Sequence, residues 1–291
     1  MIDYLLSYAS VLDAILIGSL LAMSQFVVLR AGVFSLAPAA FAAVGAYTAA
    51  LMVKNAGMHP ALAVVAAMAL GTLLSAIVAL PLSRLRGVFQ ALATLALVQV
   101  VMSFTLTATP LTNGAIGINS IPRSLGTGWL LVLVAAVILL LHAICSHGIG
   151  RAFNVILQDE TVAASLGVQV AKYHRIAFLL SGCIGGLAGA AIALSSYTIQ
   201  PSLFGFHMLV NVLAMVVLGG TGSVWGPLIG AAILTLLPEM FRVFADYRTV
   251  VQGVLLCICI MFMPRGVTHS WRFRRAARPP APTKLAEASR A

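Results

Sequence analysis

The chain has 291 residues, 61% of them hydrophobic and 8% charged. A soluble domain carries about a quarter charged residues to cover its surface, so this composition excludes a water-soluble globular protein and places most of the chain in lipid. The net charge of +10 does not mark a nucleic-acid binder, because seven of the 17 basic residues lie in the last segment and the rest are scattered through short loops.

The apolar segments are continuous and rich in Ala and Leu, without the period-two alternation of a β-barrel. A helix needs roughly 20 apolar residues to cross a bilayer. In the first span, 11–29, Asp3 and Asp13 come before the apolar run and no basic residue does, so it reads as a retained span rather than a signal peptide. The second run is 31–53. Within it Pro38 removes a backbone donor and disfavours helix at Ala37, which predicts a break near Ala37 and a restart with Pro38 in the first turn. Spans at 60–82, 88–107 and 129–146 follow, with a polar stretch from Thr105 to Gly128 between the last two. After the loop 147–175 comes a gap of 63 residues (176–238) without a charge, long enough for about three crossings. We divide it into 176–196, 208–221 and 226–241. The last two are short and flank Gly219-Gly220-Thr221-Gly222-Ser223, with Pro227 just beyond. They are either two short helices or two half-helices meeting inside the protein, because non-helical backbone at membrane depth needs protein or a cavity to cover it. A final span is expected at 249–263.

This gives an all-α polytopic membrane protein of about nine spans (8–10), with a membrane domain over 1–267 and a basic tail over 268–291 whose Arg, Pro and Ala content predicts disorder. The excess of Lys and Arg on cytoplasmic loops sets the orientation. With loop 147–175 inside, 13 basic residues are cytoplasmic: Arg30, Arg84, Arg86, Arg151, Lys172, Arg175, Arg265, Arg272, Arg274, Arg275, Arg278, Lys284 and Arg290. Four are outside: Lys54, Arg123, Arg242 and Arg248. The N-terminus is then outside and the tail inside, near anionic headgroups.

Loop 147–175 carries its own helix signals. Asp159 suits an N-cap, Glu160 a first turn and Gly167 a C′ position. Between them Glu160 to Leu166 forms about two turns, with Val162, Ala163 and Leu166 as an apolar stripe. So short a helix is marginal alone in water. Its support is either this protein's own helices, as a self-packed interfacial loop, or the surface of a partner.

Here the chain resembles the permeases of ABC importers, which carry a cytoplasmic coupling helix marked by an Ala-rich motif and a following Gly, matched by Glu160, Ala163 and Gly167. Gly150-Arg151-Ala152, Asp159-Glu160, Leu166-Gly167-Val168 and Tyr173 resemble the branched-chain amino acid permease family more specifically. Ser35-Leu36, Ala39-Ala40-Phe41 and Gly45-Ala46-Tyr47 match its N-terminal signature, although Ala37 and Pro38 stand where the family usually has Gly then His or Gln. Arg84-Leu85-Arg86-Gly87, Ala93-Thr94-Leu95-Ala96, Thr112-Asn113-Gly114, Gly117-Ile118 and Ile121-Pro122 follow in order. Val217 to Pro227 is the strongest single match, and Pro264-Arg265-Gly266 closes a similarity covering about 30 to 267.

The resemblance implies the permease subunit of an ABC importer in a bacterial inner membrane, carrying branched-chain or related amino acids or small amides. It implies a second homologous permease, two ATP-binding subunits that hold ATP and Mg, and a soluble periplasmic substrate-binding protein. This chain would bind no cofactor and would not be an enzyme; no phosphate-loop motif occurs. Coupling to the ATPase would fall on Asp159, Glu160, Ala163, Leu166 and Gly167. The alternative is a stand-alone secondary transporter or channel, but such carriers often bury an acid or His at mid-membrane, and no span has one there.

Interrupted helices often border a substrate path, which points to Ser35, Pro38, Thr94 and Gln99, with structural breaks at Gly219, Gly220, Gly222 and Pro227. Other polar residues in spans, Gln25, Gln90, Asn211 and Gln252, are path residues or, more simply, hydrogen-bond neighbouring helices. His142, His147 and His174 flank the coupling loop and read as interfacial, and His207 as a surface residue opening a span. Glu239 and Arg242, three apart, read as a structural pair. Cys145, Cys183, Cys257 and Cys259 read as small packing residues, and no metal site is expected.

Overall fold

The computed structural model describes residues 2–240 and Gly253, with side chains over 10–237. The expected span 249–263, the tail, Gln252, Cys257, Cys259 and the Glu239–Arg242 pair lie outside the described residues.

Eleven helices are described in chain order: α1 (Ile2–Arg30), α2 (Pro38–Lys54), α3 (Pro60–Leu82), α4 (Val88–Thr107), α5 (Thr109–Thr112), α6 (Thr127–Ser146), α7 (Gly148–Gln158), α8 (Glu160–Ser165), α9 (Val170–Ser195), α10 (Phe206–Gly219) and α11 (Gly226–Met240). Each of the eight expected spans before residue 241 is met by a helix. Six are long and apolar enough to cross a membrane, counting the 3-10 turn Pro201–Phe204 with α10, while α2 and the apolar part of α11 are shorter. The chain is a polytopic all-α membrane protein. The break at Ala37 is present, and α2 starts with Pro38 at its N-terminus. Proline is at home there, since its missing N–H has no helical partner at that position.

Two boundaries differ from the sequence reading. Helix α1 starts at Ile2 rather than near 11, and α9 at Val170 rather than 176, so that α9 carries Lys172 and Arg175 in its opening turns. Apolar runs mark what sits in hydrocarbon, whereas a helix continues into the interface as long as its backbone bonds are made. Loop 147–175 holds two helices, α7 and α8, not one.

The core is α1, α2 and α9, with α3 wrapped on one side of α9. In the spanning windows of α1 and α9, 72% is buried, against 22% for α3 and 28% for α4 and α6, so the last three face lipid or another chain. Helix α9 approaches its neighbours backbone to backbone. A Cβ on Gly189 would stand 2.0 Å from the Ala42 carbonyl oxygen, and one on Gly186 would stand 2.4 Å from that of Ala67. Helix α3 answers with a small residue every fourth position: Ala63, Ala67, Gly71, Ser75 and Ala79 are its buried face. Its large residues, Leu62, Val65, Leu70, Leu73, Ile77 and Leu80, point outward. Lipid is as apolar as Leu, so helices associate by close packing and polar contacts instead. One such contact joins α1 to α9, where Ser24 Oγ donates to the Ser181 carbonyl at 2.8 Å.

The connecting segments gather on two sides. On one, Arg86 of the α3–α4 loop lies 3.6 Å from Glu160 of α8, and Arg30 at the end of α1 donates to Asn154 of α7 at 3.5 Å. On the other, Arg123 pairs with the buried Asp13 at 3.2 Å and Lys54 donates to the Asn119 carbonyl at 2.8 Å. A two-residue antiparallel ladder of β1 (Ile118–Asn119) and β2 (Thr198–Ile199), in the register Ile118↔Ile199, joins the α5–α6 connection to the α9–α10 connection. These pairings match the expected sharing of sides by the loops.

Gly189→Leu is expected to destabilise the domain by about 3 kcal/mol through overpacking, read as a drop in the melting midpoint of the detergent-solubilised protein. Gly128→Leu, in open space at the start of α6, should stay within about 0.5 kcal/mol.

Candidate functional site

The break between α1 and α2 is held by side chains from other parts of the fold. Gln25 Nε2 donates to the Ser35 carbonyl at 2.6 Å, Ser35 Oγ accepts from Ala37 N at 3.2 Å, and Thr94 Oγ1 of α4 accepts from Leu36 N at 3.0 Å. Thr94 also donates within its own helix, to the Gln90 and Ala91 carbonyls at 3.0 and 2.9 Å, and Gln90 Nε2 reaches the Leu82 carbonyl at 3.1 Å. These groups answer the rule that buried backbone polar atoms need partners. Gln25 and Gln90 are therefore structural hydrogen-bonding residues.

Of the four residues expected at a path, Ser35, Pro38 and Thr94 come together and are buried, whereas Gln99 is exposed on the opposite side of α4. Five residues separate Thr94 from Gln99, which turns them about 140° apart on a helix. Ser103 and Thr107 are exposed on the same strip as Gln99, so a helix of which little is buried carries polar groups on its outer face at membrane depth.

The second discontinuity is also as expected in place. Helix α10 ends at Gly219, α11 begins at Gly226 with Pro227 in its first turn, and the two form a hairpin against α1. A Cβ on Gly219 would lie 2.0 Å from the Gly226 carbonyl oxygen. Gly220, at φ 89°, ends α10, and Gly222 lies in the connecting turn. Helix α10 alone has 14 residues, short of the roughly 20 needed to span, and reaches 19 with the 3-10 turn that precedes it.

Helix α8 has the caps read from sequence. Asp159 Oδ1 accepts from Thr161 N at 2.7 Å, from Thr161 Oγ1 at 2.5 Å and from Val162 N at 3.2 Å. At the other end Val168 N donates to the Ala163 carbonyl and Gly167 N to that of Ala164, both at 3.0 Å, the paired bonds of a Schellman ending. Gly167 is at φ +82°, a region that a Cβ resists. The apolar stripe does not hold as one face. Val162 and Leu166, four apart, are exposed at 51% and 69%, but Ala163 is fully buried against this chain. A residue adjacent in sequence is turned by about 100°, so Ala163 anchors α8 to its own protein while the other two look outward. Glu160 is tied between Arg86 at 3.6 Å and His174 at 3.5 Å.

His174, expected to be interfacial, is 3% exposed. The signal was in its spacing: His174, Phe178, Ser181 and Gly185 recur at helical intervals on the buried face of α9. His207 is exposed at the start of α10, and Cys145 and Cys183 are free thiols, half-buried.

The chain matches the family described as branched-chain amino acid transport system, permease component, over residues 7–262. It is 29% identical to the high-affinity branched-chain amino acid transport system permease protein LivM of Salmonella typhimurium and 28% identical to that of Escherichia coli K12, in each case over 81% of this chain and 64% of the relative. The LivH permease of the same system in Escherichia coli K12 is 26% identical over 48% of this chain and 45% of its own length. The chain thus spans just under two thirds of the length of the LivM relatives. No solved structure matches it.

The Thr161 hydroxyl and the Val162 and Thr161 amides hold the Asp159 carboxyl below its ordinary value. A folded-state pKa below the unfolded one means that the cap stabilises α8 above the unfolded value and is lost as pH falls through the folded value. Amide protection across α8, measured against the unfolded chain at the same pH, should therefore stay high at neutral pH and fall only at pH below the usual carboxylate range. Gly167→Val, costing about 1–2 kcal/mol in the left-handed region, should raise exchange at Gly167 and Val168 about tenfold at neutral pH while the spans remain protected.

Proposed function

Because the chain belongs to the branched-chain amino acid permease family, we propose that it is the membrane permease subunit of an ABC importer. It would carry branched-chain or related small amino acids or amides across a bacterial inner membrane. The observation that carries the reading is α8, a short helix capped at both ends whose Val162 and Leu166 are turned outward. Two apolar side chains on one exposed strip suit a groove on an ATP-binding subunit. Ala163 and the capping residues Asp159 and Gly167 keep that strip rigid, and Glu160 ties it to the α3–α4 loop. ATP and Mg belong to two such subunits, and a soluble binding protein would deliver substrate to the opposite side.

Orientation follows from the loops that share a side. The side of α7 and α8 carries Arg30, Arg84, Arg86, Arg151, Lys172 and Arg175, and the other carries Lys54 and Arg123 among the described residues. The excess assigns α8 to the cytoplasm, with the N-terminus periplasmic. The basic segment 268–291 would then be a cytoplasmic tail following a membrane domain over 1–267.

The path would run beside the α1–α2 break, where Ser35, Pro38 and Thr94 meet. Gln99 supports a second permease. Leaving a carboxamide in hydrocarbon without a partner costs about 2–7 kcal/mol, and a neighbouring permease, or water in a path shared with one, would relieve Gln99; Thr107 on the same strip already donates to the Ser103 and Phe104 carbonyls.

Two measurements check this reading. In a cysteine-free background, a membrane-impermeant maleimide should label Ile116→Cys in intact cells and Leu166→Cys only after permeabilisation. The reverse pattern would invert the topology. Leu166→Glu should lower co-purification of the ATP-binding subunits at least tenfold while the permease reaches the membrane at normal levels. Undiminished co-purification would remove α8 as the docking element.

A further inference from the structure

A cavity of about 400 Å³ lies between the first turns of α3 and α6. Its walls are apolar: Pro60, Ala61 and Val64 on the α3 side, Leu125, Trp129 and Leu133 on the α6 side. Its polar residues, His59 and Ser124, stand just ahead of the two helices. None of these residues belongs to α4 or to the α1–α2 break, so the cavity is separate from the path. Its walls would also give an amino acid few of the placed polar partners that orient a small polar ligand.

The gap exists because the two helices pack elsewhere. Helix α3 lies against α9 and α2, and α6 against α1 and α7. Ala61 and Trp129 in the walls are exposed, so the cavity opens onto the surface that meets lipid. Leu133 lies about 9 Å further along α6 than Thr127, at 1.5 Å per residue. The apolar walls therefore run inward along the helices from a mouth at their starts. Trp129 stands at that mouth, as aromatic residues do where a bilayer meets water.

The mouth offers donors and positive charge. His59 Nδ1 accepts from Ala61 N at 3.3 Å, so in the neutral ring the proton is on Nε2, free to donate. Arg123, next to Ser124 in the chain, is half-exposed and uses Nη2 on Asp13, which leaves the other donors of its fork available. Ser124 Oγ is spent on the Pro122 carbonyl at 3.0 Å. Asp13, buried and already paired, is the one acid among the described side chains on this side of the molecule.

A phosphodiester accepts hydrogen bonds and carries negative charge, and the acyl chains attached to it are flexible and apolar. One molecule of the surrounding bilayer thus complements both the mouth and the walls. We propose that the cavity is a binding site for a phospholipid with an anionic headgroup, its acyl chain between α3 and α6 and its phosphate at His59 and Arg123. The site rests on the membrane fold alone, whatever the chain transports.

The experiment uses the full chain in detergent, with Trp225→Phe and Trp271→Phe so that Trp129 is its remaining tryptophan. Phosphatidylglycerol or phosphatidylcholine with brominated acyl chains is titrated in, and quenching of Trp129 fluorescence is followed. Quenching by phosphatidylglycerol should saturate, with its midpoint at least threefold lower in lipid than that of phosphatidylcholine. Ala61→Phe, at an exposed position where folding is not at stake, fills the cavity and should raise the phosphatidylglycerol midpoint at least fivefold. Leu73→Phe, on the outward face of α3, should leave it within twofold. The double variant Asp13→Asn with Arg123→Gln removes both charges of the pair together, so that no buried carboxylate is left alone. It should bring the phosphatidylglycerol midpoint to that of phosphatidylcholine. Quenching that rises without saturation and equally for both lipids would overturn the proposal, leaving an exposed tryptophan in ordinary contact with bulk lipid. So would a midpoint unmoved by Ala61→Phe, equal midpoints for the two lipids, or a preference for phosphatidylglycerol that survives the double variant.

Discussion

In a hydrocarbon solvent the burial of apolar surface gives helices little reason to associate, and the fold depends on how closely α9 can approach α2 and α3. Gly186 and Gly189 place backbone against backbone, with the carbonyls of Ala67 and Ala42 where side chains would otherwise stand. Dispersion between such surfaces falls off steeply with distance, so a single added methyl group is felt along the whole seam. The rest is arranged around it. Helix α3 turns its small residues inward and its Leu, Ile and Val outward, the reverse of a soluble helix, and α4 and α6 are left on the periphery, open to lipid or to a second chain.

The buried polar groups serve that packed core rather than a chemistry of their own. Gln25, Ser35, Thr94 and Gln90 spend their hydrogen bonds on backbone atoms released where α1 stops, where α2 has yet to begin, or where α3 ends. An interrupted helix is tolerable at this depth because those partners exist. The same groups fix the shape of the break, which makes it a two-sided feature: costly to build, but well defined in position.

What was legible in the sequence was local. Pro38 marked the restart of α2, Asp159 and Gly167 marked the ends of α8, and apolar runs marked the described spans, because each signal acts within a turn or two of itself. What was not legible depended on which way a side chain faces. Ala163 parted from Val162 and Leu166, and Gln99 from Thr94, because facing is decided by neighbours distant in sequence. His174 read as interfacial because it flanks the coupling loop, yet it lies on the buried face of α9 beside Glu160. Helix α7 went unread because His147 and Gly148 gave no capping signal; in the structure no side-chain hydrogen bond caps its start.

The two ends of the molecule are joined by different kinds of bond. On the Asp13 side the connections are sewn together through main chain: β1 with β2, Ile121 N with the Tyr197 carbonyl, and Ser124 N and Leu125 N with that of Leu194. On the α8 side no such ladder is described: besides the packing of Phe153, Ile156 and Ala163, the polar links of α7 and α8 to the rest run through side chains at 3.5 to 3.6 Å, from Arg86, Arg30 and His174. Main-chain ladders resist shear, whereas side-chain contacts at that range slide and re-form. The helices are therefore clamped at one end and compliant at the other, like tines on a common handle. Bending should be greatest at the compliant tips, and the clamped end should act as the fulcrum.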